Sequence, residues 1–247
     1  MTGALDWQEY QAAFRMAAVA NGFSEDLLAN FEQGPLLAWE RLADGPCVYL
    51  SAGIHGDEPA GPLALLELLR EGFFRAPVHW VLCPALNPTG LVVGSRENAA
   101  GIDLNRDYWS RNTEEVIAHT AWIDRLRTPD LFISLHEDWE TKGFYFYEIN
   151  LRDDRPDRAH SILAAVSPWF PAEAGPEIDG HDVREDGWIY HAAEPDLPEG
   201  WPEAIYLAKK GCPISFTFET PSHAELEQRV AAHIAAVKAA CAWITAR

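Results

Sequence analysis

Apolar residues along this chain alternate between short continuous runs and the three-to-four spacing of amphipathic helices. Asp6 to Ala20 places Trp7, Tyr10, Phe14 and Ala17/Ala18 on one stripe, which predicts a helix. Leu36 to Leu42 and Cys47 to Ile54 flank Asp44-Gly45-Pro46 and read as strands with a tight connection. Ala60 to Glu71 returns to helical spacing and stops at Gly72. Val78 to Leu86 predicts a strand ended by Asn87-Pro88, followed by a long irregular polar segment over residues 89–112. Thr113 to Leu126 reads as a helix, capped by Thr113, with Glu114 and Glu115 at its positive end. Asp130 to His136 and Gly143 to Asn150 predict strands, and Asp157 to Trp169 a helix. Residues 171–204, rich in proline and glycine, read as an extended loop or lid, and Ile214 to Glu219 as a strand. Ser222 to Ala246 predicts a long helix whose apolar stripe runs through Leu226, Val230, Ile234, Val237, Cys241 and Ile244. Strands alternating with helices predict an α/β sheet covered on both faces.

Length and composition narrow this picture. A chain of 247 residues allows one α/β domain or two small ones. No linker, repeat or low-complexity tract divides it, so one domain over residues 1–247 is expected. The 48% hydrophobic content and 10 Trp supply a large core. A net charge of −19 argues against nucleic acid and against docking on anionic membranes, both of which depend on Lys and Arg. It supports solubility first, and secondly a site mouth that favours cationic substrates. Cys47, Cys83, Cys212 and Cys241 show no Cys-x-x-Cys spacing, so neither a disulfide framework nor a sulfur-ligated metal is expected. The start MTGALDWQEY lacks the pattern of a secretory signal, and no window approaches ~20 uninterrupted apolar residues. A cytoplasmic protein is expected, and no feature fixes its oligomeric state.

The candidate chemistry sits at strand ends. His55-Gly56-Asp57-Glu58 lies between a predicted strand and the helix opened by Pro59, which is where open α/β sheets bind ligands. Zinc accepts His nitrogen and Glu oxygen, and a catalytic site uses three protein ligands plus water. His136, closing another strand, is the third candidate. Glu219 closes a third strand, and a carboxylate there suits a group that takes a proton from water and returns it to a leaving amine. Arg96, Asn105 and Arg106, in the polar segment, supply a forked cation and a neutral donor for a substrate carboxylate and a carbonyl. Asp103 is a candidate partner for the second nitrogen of His55, since metal-bound His usually donates its other N–H to a carboxylate. Glu137, Asp138 and Glu140 follow His136 and suggest a preference for a substrate carrying an amine.

The order His55-x-x-Glu58, Arg96, Asp103-Leu104-Asn105-Arg106, His136 and Glu219 resembles the zinc carboxypeptidase family, and equally its branch of aspartoacylases and succinylglutamate desuccinylases. The resemblance spans roughly residues 47–221. It implies a mixed, mainly parallel eight-stranded sheet flanked by helices, and one zinc ion per chain held by His55, Glu58 and His136. It further implies Glu219 as general base and acid, Arg96 on the scissile carbonyl, and Asn105 and Arg106 on the terminal carboxylate. Peptidases of this family add a tyrosine before the catalytic glutamate, and here Tyr190 and Tyr206 compete for that place in substrate binding. The implied activity is a metallocarboxypeptidase acting on a small peptide. A deacylase of N-acyl amino acids uses nearly the same groups, and a non-catalytic binding protein on the same fold is the third reading.

Overall fold

The computed structural model describes residues 5–245. In chain order it contains α1 (Trp7–Ala20), β1 (Ser24–Phe31), β2 (Gly34–Arg41), β3 (Cys47–Ala52), α2 (Ala60–Arg70), β4 (His79–Cys83), α3 (Pro88–Val93), α4 (Glu114–Ile123), β5 (Leu131–Asp138) and β6 (Tyr145–Asn150). There follow α5 (Pro156–Val166), β7 (Glu177–Ile178), β8 (His181–Asp182), β9 (Trp188–Tyr190), α6 (Glu203–Lys209), β10 (Ile214–Pro221) and α7 (Leu226–Thr245). Ala246, the expected last residue of the final helix, lies outside the described residues.

Eight strands form one mixed sheet in the order β1-β2-β4-β3-β5-β10-β6-β9. The centre, β4-β3-β5-β10, is parallel. Antiparallel pairs join β1 to β2, β2 to β4 and β6 to β10, and β9 runs parallel to β6. This is the implied eight-stranded α/β sheet. Its central strands are buried on both faces, so alternate side chains enter two different cores. Val48, Leu50, Ile133, Leu135, Phe216 and Phe218 face one core, against α1, α2, α5 and α7. Cys47, Tyr49 and Phe132 face the other, which includes Val116 and Trp122 of α4 and Tyr206 and Leu207 of α6. All four cysteines are buried free thiols. Among the described residues no helix is long and apolar enough to cross a membrane.

Several elements depart from the sequence pattern. Strand β1 was not expected: its SEDLLANF lacks clean alternation because the register with β2 shifts between Leu27 and Ala29. Strand β5 runs two residues beyond His136, because pairing with β10 continues to Asp138 opposite Pro221. The final helix begins at Leu226, after a turn in which Ala224 donates to the carbonyl of Pro221. The expected irregular segment contains the short helix α3 and a 3-10 turn at Leu104–Arg106. The expected lid carries a small hairpin, β7–β8, whose two-residue turn Asp179-Gly180 has positive φ at both positions (47° and 74°). Asp-Gly is a favoured pair for such turns.

Candidate active site

The parallel register of β5 and β10 sets Glu219 directly beside His136. In β10, Ile214, Phe216 and Phe218 turn to one core, while Ser215, Thr217 and Glu219 turn the other way. Ser134 and His136 of β5, and Tyr145 and Tyr147 of β6, share that second side. Small residues at Ser134, Ser215 and Thr217 leave room above the sheet. The result is a cleft of about 620 Å³, with the β7–β8 hairpin and the loop before α6 as its far wall.

His55 and Glu58 reach the cleft from the turn after β3. Gly56 makes this turn possible, since a Cβ there would lie 2.0 Å from the carbonyl carbon of Gly90 in α3. The amide of Gly56 also donates to the carbonyl of Ser95 at 2.9 Å. His55 Nδ1 lies 2.6 Å from Glu58 Oε1, and His136 Nδ1 lies 3.0 Å from Glu58 Oε2. The second nitrogen of His55 meets Asp103 Oδ1 at 3.1 Å. His55, Glu58 and His136 are buried, and Asp103 is half-buried. Burial opposes charge on His55, yet Glu58 and Asp103 lift it to about 9. Burial likewise opposes charge on Glu58, and the two imidazoles hold its carboxyl far below the usual range. Desolvation lowers His136.

This donor set fits a zinc ion. Two imidazole nitrogens and a carboxylate oxygen lie within 4.8 Å of one another. They are nearly sealed from solvent, and one imidazole is oriented by a carboxylate behind it.

Glu219 is half-buried and lines the cleft, and its carboxylate accepts no hydrogen bond among the described residues. Burial, followed by the charges of Glu58, Asp138 and Asp179, pushes its carboxyl well above the ordinary carboxylate range. Arg96 holds Asp103 Oδ2 through Nε and Nη2 at 3.2 and 3.1 Å, and approaches Glu58 at 3.6 Å. Asn105 lines the cleft and accepts from the amide of Glu203 at 3.0 Å, and its NH₂ donates to no partner among the described residues. Arg106 is exposed on the cleft rim, with Nη1 donating to the carbonyl of Asn105 at 2.9 Å.

The two tyrosine expectations are corrected. Tyr206 belongs to the core behind the cleft and donates to Asp124 at 2.6 Å. Tyr190 is exposed, with its hydroxyl 3.4 Å from the carbonyl of Asn150. Neither lines the cleft. Tyr145 and Tyr147 do, donating to Asp138 at 3.0 Å and Asp179 at 2.5 Å. The alternation Phe144-Tyr145-Phe146-Tyr147 was the signal available for them. The acidic run after His136 is corrected in part. Glu137 accepts from the amide of Ala60 at 2.7 Å and pairs with Arg229, so its charge is spent inside the fold. Asp138 and Glu140 line the cleft.

Beneath the floor lies a buried network that the sequence pattern did not reveal. Glu203 accepts from Ser51 at 2.7 Å and Tyr49 at 2.8 Å. Both nitrogens of His119 meet tyrosine hydroxyls, of Tyr49 and Tyr108, at 2.8 Å. Burial lowers His119 to about 3, so it is neutral. Burial raises Glu203 to about 7 against those two hydrogen bonds. The folded chain therefore keeps this proton after an unfolded chain, near the ordinary 4.5, has released it. Stability from this group is full below about 4.5 and is lost as pH rises toward about 7. Glu203→Gln should remove that loss, on the order of 2–3 kcal/mol in relative stability between pH 5 and pH 8. Urea unfolding at both pH values checks this. An unchanged pH dependence would show that Glu203 is ionised throughout.

The catalytic-domain model of the succinylglutamate desuccinylase/aspartoacylase family matches residues 44–168. That stretch contains His55, Glu58, Arg96, Asp103, Asn105, Arg106 and His136. Carboxypeptidase SOL1 of Arabidopsis thaliana is 35% identical over 168 residues, covering 61% of this chain and 28% of that protein. Murein peptide amidase A of Escherichia coli K12 is 35% identical over 85 residues, 33% of this chain and 34% of that protein. The matched stretches thus span about a third or less of these curated relatives. Among solved structures, an inferred metallopeptidase of Shewanella amazonensis superposes with a TM-score of 0.85 at 25% identity, covering 98% of this chain and 94% of that one. A metallo-carboxypeptidase of Burkholderia cenocepacia shares the fold, with a TM-score of 0.68 at 20% identity over 94% of this chain and 67% of that one.

Proposed function

Since the chain belongs to the succinylglutamate desuccinylase/aspartoacylase catalytic domain family, we propose that it is a zinc-dependent carboxypeptidase that hydrolyses the terminal amide bond of a small peptide. The observation carrying this reading is the juxtaposition, in one cleft, of the His55–Glu58–His136 cluster, Glu219 and the carboxylate-binding groups Asn105 and Arg106. His55, Glu58 and His136 would hold the ion. Bound there, zinc supplies Lewis acidity toward the scissile carbonyl and toward water.

The chain's own residues do the rest. Arg106 and the NH₂ of Asn105 grip the free carboxylate and fix which bond lies over the cluster. Arg96 turns its guanidinium to the carbonyl oxygen as negative charge develops there. Glu219 takes a proton from the attacking water and delivers it to the leaving amine. A half-buried carboxyl with a raised pKa holds a proton more firmly than a surface carboxyl, which suits it to carry that proton from water to the amine. Asp138 and Glu140 favour a substrate with an amine near the scissile bond. The similarity to murein peptide amidase A supports a peptide substrate.

The family model favours a second reading, a deacylase of N-acyl amino acids. Comparing kcat/KM for short peptides ending in Lys, Leu and Glu with that for N-acetylaspartate separates the two. Efficient cleavage of N-acetylaspartate in place of the peptides overturns the peptidase reading, and a ranking with Glu best overturns the preference for an amine. Arg106→Ala should raise KM for substrates with a free α-carboxylate by about 10-fold or more, because a charge-assisted contact is lost. Amidated substrates should change much less. Equal losses on both would mean that Arg106 braces its loop and does not touch the ligand.

A further inference from the structure

The lid wall of the cleft carries a second convergence of metal-type donors. His181 begins β8, directly after the Asp179-Gly180 turn, His191 follows β9, and Asp196 lies in the loop beyond. One donor atom from each lies within 4.8 Å of the others. His191 Nε2 is 3.3 Å from Asp196 Oδ1, and His181 Nε2 is 3.7 Å from Asp196 Oδ2. The two imidazole rings meet at 5.0 Å between centroids.

The hydrogen bond behind His191 sharpens the reading. Its Nδ1–H donates to the carbonyl of Ala192 at 2.5 Å. That bond occupies Nδ1 and leaves Nε2 as the nitrogen that faces the Asp196 carboxylate. A metal-bound histidine is typically held in this way, with its other N–H on a backbone carbonyl. Tyr147 braces the arrangement from the sheet. Its ring packs against both imidazoles, at 5.3 and 5.9 Å, and its hydroxyl donates to Asp179 in the hairpin turn.

We propose that His181, His191 and Asp196 bind a second divalent cation of the zinc class, which ties the β7–β8 hairpin, the end of β9 and the following loop into one fixed wall of the cleft. Two imidazole nitrogens and a carboxylate oxygen match zinc, with solvent completing the coordination on the exposed side. The His55–Glu58–His136 cluster is built on other elements, so the two sites should fill independently.

Titrating the metal-stripped full chain with Zn²⁺, followed by dialysis and metal analysis, tests the proposal. The wild type should retain two equivalents, His181→Gln/His191→Gln one, and His136→Ala one. Hydrogen exchange over residues 177–197 should slow with Zn²⁺ in the wild type and in His136→Ala, but not in the double variant. Saturation of the wild type at one equivalent that survives the double substitution would overturn it. So would exchange rates that ignore Zn²⁺ in every variant, which is what a simple protonated His–Asp pair would give.

Discussion

Glu219→Gln is expected to lower kcat by about 10²–10⁴-fold while zinc content and fold stay unchanged. Gln matches the size of the side chain and keeps polar atoms in the cleft, but it cannot carry the proton. Glu219 is held by β10 in register with His136, so its place depends on the sheet rather than on a mobile loop. Burial and the neighbouring carboxylates hold its proton to a higher pH than a surface carboxyl would. The working base forms as pH rises through that raised value, so the wild-type kcat/KM should climb along an acid limb shifted upward from the usual carboxylate range. A bound cation at the neighbouring cluster would pull the limb back by attraction, without reversing its sign. In the variant this limb should vanish and leave a flat residual rate. Turnover near the wild-type value would remove Glu219 from the proton-transfer role.

His136→Ala should lower zinc affinity by about 100-fold or more, beyond the 10–100-fold typical of losing an outer partner of a ligand. The substitution removes one of the two imidazoles bound to Glu58 and leaves that buried carboxylate with His55 and Arg96. Glu58 would then lose much of the field that keeps it ionised, which weakens a second donor along with the first. Activity should fall with the metal. Circular dichroism separates this from unfolding, and undiminished zinc occupancy would take His136 out of the ligand set.

How much of this was legible in the sequence depended on period. The runs Cys47–Ile54, Asp130–His136 and Ile214–Glu219 are apolar and end at polar groups, so the strand ends and their chemistry could be read directly. Strand β1 was hidden, because an edge strand with a register shift keeps no clean alternation. In β10 the alternation was present in Ile214-Ser215-Phe216-Thr217-Phe218-Glu219, and it states which side faces the cleft. The tyrosines failed for a related reason. Proximity in sequence to Glu219 favoured Tyr190 and Tyr206, whereas antiparallel pairing brings Tyr145 opposite Glu219 from much earlier in the chain. The His181–His191–Asp196 group joins a hairpin, a strand end and a loop, and no single period links them. Glu203 gave no local signal, since its partners Ser51 and Tyr49 lie about 150 residues away.

The pairing of β5 with β10 also gives the chain a built-in proofreading step. A strand slipped by a single residue turns every side chain to the opposite face. Such a slip would send Glu219 into the apolar core and bring Phe218 or Thr220 beside His136. It would also set the phenylalanines of β10 against the cleft, so the error would be costly on both faces at once. An assembled cleft is therefore a report that strands more than eighty residues apart have zipped in the one correct alignment. During refolding, the complete cleft should appear among the last features, because it waits on a distant contact that local structure cannot supply.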